Sequence, residues 1–444
     1  MKRLILLAVL AATLLPAGAQ NPYRRRIPPM RYARIERNAL QFPGGSSADF
    51  DAFLRKLDTL VLTGRGDVRI LHIGGSHVQG GTWTNTLRKN LMALRYGMDG
   101  GRGLVFPYAA AGTNTPMGYQ SSYTGTWTSS RCLSPETVMG VTGMTVTTAD
   151  TAATVALDLV PEERKMWDLR FTFRSIDVLG YGDLEPVILS GRDTLRGRQV
   201  DERWHFELPR YIDFFRVGFR GYPGRFTLKG LYLDNPANGL TVSEAGVNGA
   251  ATSSFLKCED FTRDLQLVKP DLVIFSIGIN DLQGADFDAR RFISNYGKLV
   301  QMVRRANPHC AFLFTSCNDS WKNGRSNPHG ARAEHAFEEI ARGCDGAFWD
   351  LYDIMGGSGS MDAWVNAGYA RPDHIHFTPE GYTILGNLLF NALMDAYAVQ
   401  ARCPSRTSYG ISSEHCSPST ARTRCCSPSS TSGRSSRWCS RASR

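Results

Sequence analysis

The 444-residue sequence predicts an α/β fold, in which helices cover both faces of a parallel sheet, with an all-β sandwich inserted into it. Two patterns predict this architecture. In the first hundred residues, and again after about residue 240, strand-like apolar runs alternate with segments of helical periodicity, which indicates a parallel sheet. Between these parts the chain is rich in Thr, Val, Phe, Tyr and Gly and has little helical periodicity, a pattern typical of β-sandwiches.

The α/β part begins with a buried strand that ends in two glycines and a serine. Its predicted strands are 67–73, 271–277, 311–315 and about 346–351. Its predicted helices are 84–96, 251–268, 288–305, about 331–341 and 379 to about 397. Because open α/β sheets bind their ligands beyond the carboxyl ends of the strands, we expect the functional residues in the loops that follow these strands.

The inserted part contains short strand-like runs, several of which are separated by Gly and Pro turns. The predicted strands are 145–147, 154–159, 167–173, 204–208, 214–219 and 226–233. We place the insertion at 112–238, so that the α/β domain consists of 20–111 and 239–400.

Both ends of the sequence differ from the rest in composition. Residues 1–19 combine a basic start, a short apolar run and small residues at the end, which predicts a secretory signal peptide. The run 4–15 is shorter than the roughly 20 residues that cross a bilayer, so we expect a periplasmic or secreted protein without a membrane span. Residues 401–444 contain 14 serines, eight arginines and hardly any aliphatic residues, which predicts a disordered tail.

The formal net charge of +10 is concentrated in that tail, where eight arginines accompany a single acidic residue, Glu414. The remaining chain is close to neutral, so its charge does not predict a nucleic-acid partner. Five of the ten cysteines also lie in the tail, and the other five lack CxxC spacing. The sequence therefore predicts no zinc site.

Two strand-end motifs carry groups that acyl transfer needs, namely a nucleophile and a donor for the oxyanion. Ser76 follows the strand 67–73 in a glycine-flanked turn that can expose its hydroxyl. A structural turn would give the same pattern. Asn280 follows the strand 271–277, and its carboxamide can donate to an oxyanion while Asp281 holds the turn. An Asx turn at the end of the strand is the alternative.

A third motif, DHIHFTPEGY at 373–382, is more specific. Thr378 suits the N-cap and Pro379 the first position of the last helix, which would fix the preceding loop. A separation of three residues can bring the Asp373 carboxylate to Nδ1 of His376 and leave Nε2 free for a nucleophile. In the alternative interpretation one of the two histidines, His374 or His376, caps the helix and the other is solvated.

The segments GGSH (74–77), AGVNGA (245–250), GIND (278–281) and DHIHFTPEGY occur in the order of the four sequence blocks of the SGNH or GDSL-like hydrolase family. This resemblance implies a flavodoxin-like three-layer fold and a triad of Ser76, Asp373 and His376. It also implies an oxyanion hole formed by the backbone N–H of Ser76, the backbone N–H of Gly249 and the side chain of Asn280. The family's usual GDS is GGS here. Gly75 stands where the family has aspartate. Because that aspartate is not a triad member, this departure concerns the rigidity of the loop rather than the triad.

The signal peptide, the GxSH-type first block, the β insert and AGVNGA are similar to periplasmic peptidoglycan O-acetylesterases, whose insert resembles a carbohydrate-binding module. The resemblance implies an exported serine esterase that removes O-acetyl groups from a carbohydrate, with peptidoglycan as a candidate, and needs no metal or organic cofactor. Two alternatives stay open: an O-acetyltransferase with the same triad, and a non-catalytic glycan-binding protein. Four aromatic residues of the insert could stack on sugars or belong to its core: Trp167, Tyr181, Trp204 and Tyr222. We interpret His72 as a core histidine and His77 as a residue that shapes the site.

Overall fold

The computed structural model describes residues 21–159, 171–235 and 238–402. The predicted signal peptide, Trp167 and all but the first two residues of the predicted tail lie outside the described residues. Among the described residues, no helix is long and apolar enough to cross a membrane.

The strands of the described residues, numbered in chain order, are β1 (Leu40–Gln41), β2 (Asp67–Gly74), β3 (Gly103–Val105), β4 (Gln120–Thr124), β5 (Thr128–Arg131), β6 (Met144–Thr148), β7 (Thr154–Asp158), β8 (Phe173–Gly182), β9 (Glu185–Ser190), β10 (Asp193–Arg196), β11 (Arg198–Val200), β12 (Arg203–Ile212), β13 (Phe214–Arg220), β14 (Phe226–Asp234), β15 (Gly239–Gly246), β16 (Leu272–Ser276), β17 (Ala311–Thr315), β18 (Trp321–Lys322), β19 (Arg325–Ser326) and β20 (Ala347–Trp349). The α-helices are α1 (Ala48–Thr63), α2 (Ser76–Gln79), α3 (Thr82–Met92), α4 (Thr252–Phe255), α5 (Phe261–Val268), α6 (Ile279–Leu282), α7 (Ala289–Ala306), α8 (Gly330–Gly343), α9 (Leu351–Ile354), α10 (Ser360–Asn366) and α11 (Pro379–Arg402).

The α/β part is built on a six-stranded sheet with the order β1-β20-β17-β16-β2-β15. The strands from β20 to β15 run parallel, and only the short edge strand β1 is antiparallel to its neighbour. The predicted parallel sheet is therefore confirmed. In the register of the sheet, Gly74 at the end of β2 lies beside both Gly246 of β15 and Ser276 of β16. The loops that follow these three strands consequently meet at one edge.

Helices cover both faces of this sheet. Along β2, Val68 and Ile70 belong to the core shared with α1, α3 and α11, whereas Leu71 and Ile73 belong to the core shared with α5, α7 and α8. This division follows from the strand geometry, because successive side chains of a strand point to opposite faces. The three-layer arrangement implied by the family resemblance is present.

Two antiparallel sheets lie between β2 and β15 in the sequence. One has the order β11-β12-β8-β14-β6-β5, with β3 paired to β14, and the other has the order β10-β9-β13-β7-β4. Aromatic rings join the two sheets: Phe173 contacts Phe215, and Phe219 contacts Phe226, at centroid distances of 5.4 and 5.3 Å. Their buried residues continue into the core beneath α5, α7 and α8.

Three predictions about single elements need correction. The predicted helix 251–268 is broken into α4 and α5, because the N–H of Asp260 donates to the Met139 carbonyl of the antiparallel part instead of continuing a helix. Of the predicted strand 167–173, residues 167–170 lie outside the described residues, and among 171–173 only Phe173 belongs to β8. The carbonyl of Thr172 accepts from the Asn235 side chain, 3.0 Å away, rather than from a neighbouring strand. The helix predicted at 84–96 begins earlier and ends at Met92.

Candidate active site

Ser76 begins the short helix α2, which directly follows β2. Close approach of this helix to the sheet requires glycine on two strands. A Cβ at Gly74 would lie 2.3 Å from Val78 Cγ2 and 2.6 Å from the Ser276 carbonyl oxygen, and a Cβ at Gly246 would lie 2.2 Å from the Gln79 backbone nitrogen. All three distances are shorter than van der Waals contact. The two glycines therefore allow α2 to lie on the ends of β2 and β15, with Ser76 only half-buried.

Ser76, His376 and Asp373 form a continuous chain of hydrogen bonds. The Oγ of Ser76 lies 2.8 Å from Nε2 of His376, and Nδ1 of the same ring lies 2.9 Å from Oδ2 of Asp373. If Nδ1 carries the proton and donates to the carboxylate, Nε2 is free to accept the proton of the serine hydroxyl. The arrangement can thus remove a proton from Ser76 and stabilise the imidazolium that results.

The Asp373 carboxylate is held by the backbone of its own loop. Its Oδ1 accepts from the N–H groups of Ile375 and His376, each at 2.9 Å. Partial burial opposes ionisation of Asp373, but these hydrogen bonds and the His376 ring outweigh it and lower the pKa of Asp373 below its usual value. The carboxylate is therefore ionised at neutral pH.

The loop 373–378 is fixed at its end by α11 and in its middle by Asn318. Thr378 Oγ1 accepts from the Gly381 N–H at 3.2 Å, and Pro379 is the first residue of α11, as predicted. Asn318 donates from its side chain to the Ile375 carbonyl at 3.0 Å. These contacts hold the loop that carries His376 against the loop after β17.

His374 turns away from Ser76. Its ring stacks on Trp321 at a centroid distance of 3.8 Å, and its Nε2 lies 3.1 Å from Oδ1 of Asp362. A left-handed backbone conformation, with φ of 54°, accompanies this orientation. Of the two histidines in the motif, His376 contacts Ser76.

The other predicted oxyanion groups lie beside the Ser76 turn. Asn280 donates from Nδ2 to the Ala250 carbonyl at 2.9 Å, and a Cβ at Gly75 would lie 3.3 Å from the same nitrogen. Gly249, the residue before Ala250, is exposed and has φ of 81°. Because a carboxamide nitrogen carries two hydrogens, Asn280 retains one for a ligand while the other orients it.

Asp281 links the Asn280 turn to α4. Its two carboxylate oxygens accept from the N–H and the Oγ1 of Thr252, at 2.9 and 2.6 Å. Burial raises the pKa of Asp281, and the hydrogen bonds from Thr252 only partly offset this effect. The Asp281 carboxylate therefore joins the Asn280 turn to the first residue of α4.

His72 and His77 are both buried. His72 bonds to Thr84 and Ser276, at 2.8 and 2.7 Å, which confirms the interpretation as a core histidine. His77 bonds through Nδ1 to the Tyr382 hydroxyl at 2.8 Å, and its ring lies 5.1 Å from the His376 ring. Burial lowers the pKa of each to about 3, so both are neutral at physiological pH.

Gln79 is a functional candidate that the sequence analysis did not single out. Its Oε1 accepts from the Asn248 N–H at 2.7 Å, and its Nε2 donates to Thr113 Oγ1 and Asn114 Oδ1 at 3.0 and 3.1 Å. One side chain thus joins the loop of Gly249 to the loop 113–114. The position of Gln79 one helical turn after Ser76 is the only sequence signal for this role.

In residues 21–159, 171–235 and 238–402, no group of three or more His, Cys, Asp or Glu side chains is arranged to hold a metal ion. Four of the described cysteines are free thiols: Cys132, Cys258, Cys310 and Cys317.

Comparison with known proteins gives the class of this chain. Residues 217–384 match the model of the GDSL-like lipase/acylhydrolase family. The matched range contains Gly249, Asn280, Asp373 and His376, and Ser76 lies before it. The predicted resemblance to the GDSL-like hydrolases is confirmed, and these findings support a carboxylic ester hydrolase.

A solved structure shares its fold, and two others match parts of the chain less closely. A structure of a peptidoglycan O-acetylesterase is 24% identical, with a TM-score of 0.68 over 81% of this chain and 99% of that chain. A lipase/acylhydrolase from Enterococcus faecalis is 21% identical over 36% of this chain and 78% of that chain, with a TM-score of 0.28. A family two carbohydrate esterase from Cellvibrio japonicus is 13% identical over 62% of this chain and 99% of that chain, with a TM-score of 0.27. No curated protein matches the sequence.

Proposed function

We propose that the protein is an exported carbohydrate O-acetylesterase and that Ser76, His376 and Asp373 form its catalytic triad. The observation that carries this proposal is the unbroken chain of hydrogen bonds from Ser76 Oγ through His376 to Asp373, with distances of 2.8 and 2.9 Å. A nucleophile, a base in contact with it and a third group that orients the base are the features that define this chemistry.

The first half-reaction transfers the acetyl group to Ser76. Its Oγ attacks the acetyl carbonyl carbon while Nε2 of His376 accepts the hydroxyl proton. The oxyanion of the tetrahedral intermediate accepts hydrogen bonds from the N–H groups of Ser76 and Gly249 and from the second hydrogen of Asn280 Nδ2. His376 then gives its proton to the sugar oxygen as the C–O bond breaks, which leaves an acetyl-enzyme and a free hydroxyl.

The second half-reaction hydrolyses the acetyl-enzyme. His376 takes a proton from a water molecule, which attacks the same carbonyl carbon, and returns that proton to Ser76 Oγ as acetic acid leaves and then ionises to acetate. Asp373 remains ionised throughout, because hydrogen bonds to its carboxylate lower its pKa. Its negative charge stabilises the imidazolium in both steps.

The choice of an acetylated carbohydrate is supported by two observations. The solved structure with a TM-score of 0.68 is a peptidoglycan O-acetylesterase, and its similarity extends over 81% of this chain. The inserted sheets also present aromatic side chains to solvent, since Tyr222 is 85% and Tyr181 37% exposed. Trp204 is only partly exposed and packs against the core. We propose that the insert is a carbohydrate-binding domain and that the protein acts in the periplasm or outside the cell.

A comparison of substrates tests this function. The full-length protein is incubated with O-acetylated peptidoglycan, acetylated xylan and a chromogenic acetyl ester, and acetate release is measured. We expect release from at least one glycan, little from Ser76→Ala and normal release from Ser358→Ala, an exposed serine outside the site. Hydrolysis of the small ester alone would refute the glycan assignment, and full activity in Ser76→Ala would refute the mechanism.

A further inference from the structure

Leu133, a residue of the insert, lies against the predicted oxyanion hole. It comes shortly after β5, and a Cβ placed at Gly249 would lie 3.0 Å from its Cδ2 atom. With Gly249 and its two chain neighbours set aside, no other atom of the described residues lies within 4 Å of that position. The loop of Gly249 adjoins the nucleophile, since a Cβ at Gly75 would lie 3.5 Å from the Ala250 carbonyl oxygen. Leu133 therefore bounds an otherwise open space beside the site.

Both parts of the molecule hold the backbone of Leu133. Its carbonyl accepts from Nζ of Lys257, which follows α4. Within the insert, the Ser134 N–H donates to the Arg131 carbonyl at 3.1 Å, which closes a tight turn around Leu133. The side chain of Leu133 nevertheless remains 37% exposed. The turn thus presents a fixed apolar side chain to solvent next to Gly249.

Leu133 and His376 approach Ser76 from opposite faces of the six-stranded sheet. Phe377, which follows His376, belongs to the core shared with α1, α3 and α11. Cys132, which precedes Leu133, belongs to the core shared with α5, α7 and α8. A substrate bound at Ser76 therefore has His376 on one side and Leu133 on the other.

The proposed mechanism determines which part of the substrate faces Leu133. The leaving oxygen of the ester has to reach Nε2 of His376, which protonates it. The carbonyl oxygen has to lie about 3 Å from the Gly249 nitrogen, the usual hydrogen-bond distance. The third substituent of the carbonyl carbon is the acyl chain, which begins two covalent bonds from that oxygen and points away from His376. The acyl chain is consequently directed to the side that Leu133 occupies.

We propose that Leu133 forms the end wall of the acyl pocket and restricts the enzyme to acetyl groups and others of similar size. This inference rests on the proposed esterase function and deepens it, because it names the residue that selects the acyl group. An acetyl methyl gains apolar contact with Leu133. Additional methylenes of a longer acyl chain overlap the leucine side chain. The insert thereby supplies part of the active site.

The p-nitrophenyl esters of acetate, propionate and butyrate test the proposal with the full-length protein. They share one leaving group, so their relative kcat/KM values report on the acyl side. Leu133→Ala should raise the ratio of kcat/KM for butyrate to that for acetate by about tenfold or more, the usual effect of a methylene in an apolar pocket. Leu133→Phe should lower this ratio. Leu62→Ala is the matched control, because Leu62 is a 67% exposed leucine of α1, and should leave the ratio unchanged.

The outcomes separate this inference from the function on which it rests. An unchanged ratio in both Leu133 variants, while acetate hydrolysis still depends on Ser76, would overturn the inference alone. Full activity of Ser76→Ala would overturn the proposed mechanism and the inference together. Melting temperatures establish that the variants are folded, and Leu133→Val is the deciding variant if Leu133→Ala unfolds.

A change of leaving group at constant acyl group provides the second test. The kcat/KM of Leu133→Ala is compared with that of the wild type for p-nitrophenyl acetate and methylumbelliferyl acetate. We expect the substitution to change both values by the same factor, because the leaving group lies on the His376 side. An effect that follows the leaving group rather than the acyl length would place Leu133 beside the sugar and overturn the inference.

Discussion

Ser76 Oγ and His376 Nε2 lie 2.8 Å apart although 300 positions separate the two residues in the sequence. The fold produces this contact in two steps. Ser76 directly follows the carboxyl end of strand β2, and the last helix, α11, fixes the loop that carries His376. The distance depends on the packing of α11 against α3 and α1, which share one core.

The two histidines of the 373–378 loop should differ sharply in their effect on turnover. His376→Ala should lower kcat by roughly 10²–10⁴-fold, the usual contribution of a general base. His374→Ala is the matched control and should keep activity within about tenfold, because His374 contacts Trp321 and Asp362 instead of Ser76. Steady-state kinetics with a chromogenic acetyl ester give the kcat of both variants. The reverse ranking would show that His374 is the base.

Asn280 should act in the transition state rather than in folding. Asn280→Ala should reduce kcat by about 10²–10³-fold, the cost of removing one oxyanion donor. Asn280→Asp, which has nearly the same shape but cannot donate when ionised, should be similarly impaired. Near-wild-type kcat in either variant would exclude Asn280 from the oxyanion hole, and circular dichroism establishes that both are folded.

Gly74 should be indispensable for seating α2 on the sheet. Gly74→Ala should lower the free energy of unfolding by about 1–3 kcal/mol, because the new Cβ would overlap Val78 and the Ser276 carbonyl. Gly297→Ala is the matched control within α7, where a Cβ meets nothing within 4 Å. There the substitution should raise stability by about 0.5–1 kcal/mol. Urea unfolding measures the free energy of unfolding of both variants. If Gly74→Ala and Gly297→Ala changed it by the same amount, the described packing of α2 on the sheet would be contradicted.

His72 should make the protein less stable in acid. Burial lowers its pKa to about 3, whereas an unfolded histidine has a pKa of about 6.5, so the unfolded state binds the proton more readily between these values. The stabilising contribution is complete above about pH 6.5 and falls by about 1.4 kcal/mol per pH unit as the pH decreases toward 3. Urea unfolding of the wild type and of His72→Gln from pH 7.5 to 4.5 measures how the free energy of unfolding depends on pH. As the pH falls, the free energy of unfolding of His72→Gln should decrease less steeply than that of the wild type. Identical slopes against pH would contradict the prediction.

The central elements of the α/β part could be predicted because each leaves a local signal. The strand 311–315 was predicted with the bounds that the structure has, and β2 differs only by the addition of Gly74. Thr378 and Pro379 marked the start of α11 correctly. The association of Ser76 with His376 was reached through the order of four short motifs, each of which alone also suits an ordinary turn.

Long-range contacts account for what the sequence did not reveal. The break between α4 and α5 depends on the Met139 carbonyl, more than a hundred residues away. Gln79 became a candidate only when the structure showed its bonds to Asn248 and Asn114. By contrast, α1 was not predicted although it carries local signals, with Ser47 as N-cap and Gly64 in the left-handed conformation at its end.

Direct detection of an acetyl group on Ser76 is the most direct test of the account. The protein is mixed with an excess of a chromogenic acetyl ester, quenched in acid within its first turnovers and digested, and the peptides are examined by mass spectrometry. We predict that the acetyl group is found on the peptide that contains Ser76 and is absent from Ser76→Ala. The acetylated protein should accumulate when deacylation is slowed. Acetylation of a different serine in the folded protein, or full turnover by Ser76→Ala, would contradict the assignment of Ser76 as the nucleophile.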